Sequence, residues 1–313
     1  MVNLLITGAL GHIGSRLIHG LKPGEFDRVL MIDNLSTQRY ASLFNLPEGV
    51  RFNFIEGDIC TLDLDKYFKD IGVVIHLAAI TDATSSFDKE EEVEKVNFHG
   101  TEKVARACSK NGCRLIFPST TSVYGVQKEI VNEECPAADL KPQSPYAQSK
   151  IKAEKFLQRL GNQEGLKFVI CRFGTIFGTS VGMRFHTAIN KFCWQAVMGQ
   201  PITVWRTALN QKRPYLDLRD AIESIRFIIK NDIFDEKVYN VVTVNMTVRE
   251  IIDIISSILP DINVEFVDTQ IMNQLSYCVS NERFKSKGFK FHGSIEKGIK
   301  ETVHMLKGTR QYQ

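Results

Sequence analysis

Residues 2–14 read "VNLLITGALGHIG". The first seven, "VNLLITG", are a short aliphatic run of the kind that forms a buried strand. Gly8, Gly11 and Gly14 follow at GxxGxxG spacing, and a helix is expected over 12–20. Small residues at a strand–turn–helix junction permit a tight turn and let backbone approach a pyrophosphate. They also aim a helix N-terminus at its charge. A purely structural glycine turn would look the same, so the surrounding sequence has to decide. The next strand, "RVLMID" (28–33), ends at Asp33, 19 residues after Gly14. A carboxylate there can accept bonds from adenosine ribose hydroxyls and repels a 2′-phosphate, which favours NAD over NADP. Asp58, closing "RFNFIEGD" (51–58), fits either the adenine edge or a simple strand-end cap.

The same alternation continues outward. Strands are expected at 72–79, 113–120 and 167–174, with helices over 88–110 and 146–161. Continuous apolar strands separated by helices imply a parallel sheet covered on both faces. The expected fold is α/β, a doubly wound Rossmann domain over residues 1–174. After 175 the pattern changes: a helix over 182–200, a strand at 201–206, and a strand then helix across 213–230. A helix at 247–259, a strand at 263–267 and a last helix at 294–306 complete it. This reads as a smaller C-terminal α/β substrate lobe over 175–313, with segments near 214–242 returning to the main sheet.

Bulk properties exclude several classes. The 313 residues are 43% hydrophobic and 24% charged, with a net charge of +3, an ordinary globular composition. No basic run is dense enough for a nucleic-acid polymer. The seven cysteines (60, 108, 113, 135, 171, 193, 278) form no CxxC and are odd in number, so reduced thiols are expected and no metal site. The N-terminus has no basic leader or long apolar core, and no run reaches the roughly 18 apolar residues that span a membrane. A cytoplasmic protein is the expectation.

Two Tyr–Lys pairs share a spacing of four: "YGVQK" (124–128) and "YAQSK" (146–150). The first sits in a loop, where that spacing has no meaning. The second follows "KPQSP" and opens a helix, so Tyr146 and Lys150 share one face. An amphipathic helix with an interfacial tyrosine would show the same pattern. A tyrosine with its ordinary pKa near 10 is a poor base at neutral pH. A lysine ammonium and the positive nicotinamide ring would both favour phenolate. A fall of about 3 units corresponds to roughly 4 kcal/mol. Tyr146 could then take a hydroxyl proton while hydride leaves the same carbon.

These residues resemble the extended short-chain dehydrogenase/reductase family, in its NAD-dependent nucleotide-sugar epimerase/dehydratase branch. The resemblance runs through "TGALGHIG", "DNLS" (33–36), "GDI" (57–59), "HLAA" (76–79) and "NFHGT" (97–101). It continues in "STTSVYG" (119–125), "SPYAQSK" (144–150) and "RPYLDLRDA" (213–221). It implies a catalytic set of Thr120, Tyr146 and Lys150. NAD contacts are implied for Gly8, Gly11, His12, Ile13, Gly14, Asp33, Asn34, Asp58, Ile59, Leu77, Ala78, Ala79 and Asn97, with Tyr146 and Lys150 shared. Substrate contacts are implied for Thr81, Thr120, Thr121, Tyr124 (as an active-site wall), Thr175, Arg184, Asn190 and Arg213, the last gripping a diphosphate as bidentate geometry suits. The implied partner is a nucleotide-diphosphate sugar. A homodimer would pair through the helices at about 88–110 and 146–161.

Departures from that pattern narrow the reaction. Dehydratases carry an Asp-Glu pair after the catalytic threonine, and decarboxylases a Glu before "VYG"; here Thr121 and Ser122 stand there. "RFGTIFGTS" has Thr175 where an Asn is usual, and 268–281 lacks the arginine of a late diphosphate clamp. The expectation is a nucleotide-sugar 4-epimerase working through a transient 4-keto intermediate. A C4 dehydrogenase or reductase, oxidoreduction of an unphosphorylated alcohol, and a catalytically silent NAD-binding scaffold or sensor are the alternatives.

Overall fold

The structure is a computed structural model that describes residues 2–125, 130–268 and 276–308. Seven parallel strands form its main sheet: β1 (Asn3–Thr7), β2 (Arg28–Asp33), β3 (Phe52–Glu56), β4 (Val73–His76), β5 (Arg114–Thr120), β6 (Phe168–Phe173) and β7 (Val238–Val241). Their order is β7-β6-β5-β4-β1-β2-β3. Residues alternate between the two faces, so Leu4 and Ile6 join one apolar core while Leu5 joins the other. Each such side chain contributes about 1.5–3 kcal/mol by leaving water. Burial on both faces explains the unbroken apolar runs of the sequence.

The order reverses between β1 and β4, which opens a crevice beyond the strand C-termini. Register brings the ends level: Thr7 pairs with Ile32 and His76, Asp33 with Glu56, and Thr120 with Phe173. The residues expected to do chemistry therefore share one edge of the sheet.

Three helices position the crevice. Helix α1 (His12–Gly20) follows the glycine turn. Helix α2 (Gly100–Asn111) continues from a helical turn at Glu90–Val93 through a wider π-type segment at Glu94–His99. Such segments recur at functional sites. Helix α3 (Pro145–Glu164) begins with Ser144, whose side chain accepts from the Ala147 N–H at 3.2 Å, and with proline in its first turn. It ends at Gly165, whose φ of 70° suits glycine.

The second core gathers around Phe177, Ile189, Phe192, Ile202, Tyr215, Ile251, Ile255 and Ile299. Lys212–Asp217 lies between Thr175–Phe177 and Val244–Thr247 in a three-stranded sheet, and Ile202–Trp205 pairs with Val264–Val267. Of the segments near 214–242, only Val238–Val241 enters the main sheet. Helix Leu218–Lys230 instead lays Leu218, Ile222 and Ile225 against Leu17 and Ile18 of α1.

Two element boundaries differ from expectation. The strand expected to reach 79 stops at His76, and 77–79 run on as crevice wall. The helix expected over 182–200 forms only at Ala188–Val197. Gly182 is held against the glycine turn, where an added Cβ would lie 2.3 Å from the Leu10 carbonyl oxygen. That contact fixes 182–187 as a loop. Among the described residues, no group of three or more His, Cys, Asp and Glu side chains could hold a metal, and no helix is long and apolar enough to cross a membrane.

Candidate active site

The nucleotide end is built from close backbone approaches. At Gly8 (φ 65°) an added Cβ would lie 2.6 Å from the Ala78 nitrogen, and at Gly14 it would lie 2.4 Å from the Ala9 carbonyl oxygen. Gly11, capping α1, faces more open space, with the Arg39 guanidinium 3.9 Å from the added Cβ position. Asp33 braces this turn: its carboxylate accepts from the Leu10 and Leu35 N–H groups, both at 3.0 Å. Asn34 donates to Asp58 at 3.4 Å, and Asp58 accepts from the Cys60 N–H at 2.8 Å. Burial works against ionisation of Asp58, but bonds from Cys60 and Asn34 and the Lys95 charge outweigh it and hold the carboxyl low.

His12 turns inward, its Nδ1 within 2.8 Å of the Ser180 hydroxyl and its Nε2 buried without a hydrogen-bond partner among the described residues. Burial, then the charges of Arg184, Arg39 and His186, push its pKa down to about 3. A small-residue cradle, a helix N-terminus and this cationic surround fit a dinucleotide pyrophosphate.

The chemical end opens onto a cavity of about 710 Å³. Thr120, Tyr146, Lys150, Thr81, Thr175, Arg184 and Arg213 all line it, together with Ile13, Leu77 and Ala79 of the nucleotide set. Tyr146 is hydrogen-bonded to Thr120, the last residue of β5. Lys150, one turn further along α3, is buried, donates to the Pro118 carbonyl at 2.9 Å and lies over the Phe117 ring. Burial pushes its pKa down to about 8, opposed by Glu154. Asn97 reads the backbone of Ile80 twice, at 2.8 Å each way, and donates to Ser149 at 3.3 Å. It thereby ties the crevice wall to α3. Ala78 donates its N–H to Thr7, and Ile59 is buried under α2.

The electrostatics of Tyr146 correct one expectation. Burial raises its pKa, and the groups of the chain that pull it down are the Arg184 charge and the Thr120 hydroxyl, not Lys150. Lys150 points instead to the β5 backbone. Arg184 itself bonds Thr81 through Nη1, while its Nε is buried without a partner among the described residues.

Three other residues expected to touch substrate lie behind the cavity. Tyr124 is fully buried, donates to Asn240 at 2.9 Å and carries the Arg172 guanidinium over its ring, so it is core rather than wall. Asn190 is buried, accepting from the Gly178 N–H and donating to the Arg184 carbonyl, which shapes the loop instead of facing the cavity. Thr121 is turned to the Phe173 carbonyl. Lys128 and most of the stretch read for a missing arginine, 269–275, lie outside the described residues.

Sequence reasoning passed over Arg39, Asp82, His186 and Lys191. An arginine six positions after the nucleotide-strand aspartate was a readable signal. Asp82, His186 and Lys191 enter the cavity only through tertiary folding.

A protein of Arabidopsis thaliana, described as a trifunctional UDP-glucose 4,6-dehydratase/UDP-4-keto-6-deoxy-D-glucose 3,5-epimerase/UDP-4-keto-L-rhamnose-reductase, is 31% identical over 322 residues. The match takes in 96% of this chain and 46% of that protein, so the chain spans about half that relative's length. The UDP-N-acetylglucosamine 4-epimerase from Methanobrevibacter ruminantium M1, solved with UDP-N-acetylmuramic acid, superposes with a TM-score of 0.86 at 27% identity, covering 98% of each chain. The UDP-glucuronic acid 4-epimerase from Bacillus cereus, solved with UDP-glucuronic acid and NAD, gives 0.86 at 25% identity over 98% of this chain and 99% of that one. Residues 4–241 match a family model, and the glycine turn, Thr120, Tyr146 and Lys150 all fall inside that span; the chain belongs to the NAD dependent epimerase/dehydratase family, enzymes whose cofactor is NAD.

Proposed function

We propose that the enzyme is a nucleotide-sugar 4-epimerase acting through a transient 4-keto intermediate. One observation carries this reading. Thr120, Tyr146 and Lys150 meet at a cavity whose lining holds a single carboxylate among the described residues, Asp82. That carboxylate accepts from the Thr84 and Ser85 N–H groups at 3.0 and 3.3 Å, as the cap of a turn. Removing water from C5 and C6 needs an acid and a base beside the sugar. Thr121 and Ser122 supply neither, so the reading stops at C4.

Gly8, Gly11, Gly14, the α1 N-terminus and Asp33 would hold the cofactor. Bound there, NAD would supply the hydride acceptor for the sugar carbon and, once reduced, the hydride donor. The chain manages the proton. Tyr146 takes it from the C4 hydroxyl as phenolate, and the Thr120 hydroxyl and the Arg184 charge stabilise the negative charge that Tyr146 carries. Arg213 and Lys191, which also line the cavity, suit the diphosphate of a nucleotide sugar. Residues 1–174 with the strand at 238–241 would carry NAD, and the remainder the sugar nucleotide. Two copies would pair through α3 and the helical run from Glu90 to Asn111, which light scattering tests as a homodimer.

Incubation with UDP-, GDP- and CDP-hexoses, followed by ¹H NMR of the anomeric region, should show C4 inversion with one of them. Absorbance at 340 nm should stay flat, since an epimerase recycles its cofactor. No inversion with any hexose defeats the proposal; stoichiometric NADH makes the enzyme a C4 dehydrogenase instead.

A further inference from the structure

Tyr146, Lys150 and Glu154 occupy successive turns on one face of α3. Glu154 is almost wholly buried, and both of its oxygens are taken. Arg172 of β6 donates Nε to Oε1 at 3.1 Å and Nη2 to Oε2 at 2.7 Å, and the Ser119 hydroxyl donates to Oε1. Ser119 immediately precedes Thr120 and stands opposite Arg172 in the sheet register. The Arg172 guanidinium also lies 4.8 Å from the Tyr124 ring centroid. One carboxylate thus stitches the helix to both strands directly beneath the reacting groups.

A buried ion pair is a poor device for stability alone, because desolvation offsets most of its attraction and apolar replacements often serve as well. Its place beside Lys150 gives it another use. The groups around that lysine are few. From β4 comes His76, held neutral with a pKa pushed down to about 3 by burial, then by Lys150 itself. From β5 come the Phe117 ring and the Pro118 carbonyl. From the π-type segment, Asn97 reaches the neighbouring Ser149 but brings no charge. On α3 itself stand Tyr146 and Glu154. Among the described residues, Glu154 is the one anion that acts on Lys150.

We infer that Glu154, neutralised in part by Arg172, is a positioning residue for Lys150: it keeps the buried amine protonated and fixes the register in which Tyr146 and Lys150 meet Thr120. The use of a protonated Lys150 rests on the proposed function; the charge relation itself does not.

The test is the titration of Lys150 in the full chain without substrate, followed by ¹⁵N NMR of its side-chain nitrogen and assigned with Lys150→Met. Glu154→Gln leaves a buried positive charge nearby, so the Lys150 midpoint should fall by about one unit. Arg172→Gln leaves the carboxylate uncompensated, so the midpoint should rise. Opposite displacements support the inference. An unchanged midpoint in Glu154→Gln, or displacements of the same sign, overturns it. Should Glu154→Gln not fold, Glu154→Asp keeps the charge but withdraws it by one methylene, and the midpoint should fall by a smaller amount; no movement overturns the inference. Because the titration needs no sugar, absence of turnover on nucleotide sugars would count only against the proposed function.

Discussion

Tyr146 sits where burial and charge pull in opposite directions. Burial favours the neutral phenol, while Arg184 and Thr120 favour the phenolate that can accept a proton. Tyr146→Phe removes the acceptor and keeps the ring, so turnover should fall roughly 10²–10⁴-fold while NAD affinity, measured by calorimetry, stays within a few-fold. Arg184→Met removes the cation, and the tyrosine pKa should then rise. Activity carried by phenolate is present above that pKa and lost as pH falls through it. The acid limb of log(kcat/KM) should therefore move to higher pH, by about one unit if Arg184 is the dominant cation. An unmoved limb would show that Arg184 leaves Tyr146 untouched. Local sequence made Tyr146 and Lys150 legible, because i and i+4 on a helix share a face whatever surrounds them. It could not show that Lys150 bonds the Pro118 carbonyl, since that partner lies 32 positions away on another element.

At the scale of elements, the glycine turn carries the tightest contacts around the nucleotide end. A methyl group at Gly14 has nowhere to go, since backbone of Ala9 occupies its place. At Gly8 both the left-handed backbone and the contact with Ala78 oppose a side chain. Gly8→Ala and Gly14→Ala should each lower the melting temperature by several degrees and weaken NAD binding at least tenfold, both measurable in one thermal-shift titration. Gly11→Ala meets less, its nearest backbone contact being 3.3 Å, and should retain the fold while losing affinity. Local signals mark most of these boundaries: α1 and β2 fall where their sequence patterns place them, and α3 starts at the proline expected before it but runs past the expected end at 161 to Glu164. The loop at 182–187 is not legible in the local sequence, because the contact that sets it lies on another element. What holds it open is Gly182 packed on the Leu10 and Gly11 carbonyls, with its N–H bonded to Ser15 at 2.9 Å. Tyr124 was misplaced for a related reason: a motif gives a residue's position along the chain, whereas Asn240, 116 residues on, decides which way its ring faces.

The whole molecule is organised around the crevice that strand order creates, and two histidines are built into its floor. His76 ends β4 between the hydroxyls of Thr7 and Thr101, at 2.7 and 3.0 Å, and His12 opens α1 against Ser180. Both are buried, and burial sets both pKa values near 3. Neither interaction was legible from spacing, since each joins segments that only the assembled sheet brings together. Their consequence is global. The folded values lie below the ordinary histidine value of 6.5, so the unfolded chain binds protons that the folded chain refuses. Stability should be fully present above pH 6.5 and decline as the pH falls toward about 3. By pH 5 each histidine accounts for a loss of about 2 kcal/mol relative to pH 7.5, or about 4 kcal/mol for the pair. Urea unfolding at the two pH values should show that decline in the midpoint, with the slope unchanged if unfolding stays two-state. His12→Phe supplies a control, since it removes one titrating group without removing bulk. His186, held near 4 by burial, titrates over the same interval, so the variant's stability should fall about two-thirds as much as the parent's, and an equal fall in the two proteins would show that His12 does not carry the acid sensitivity.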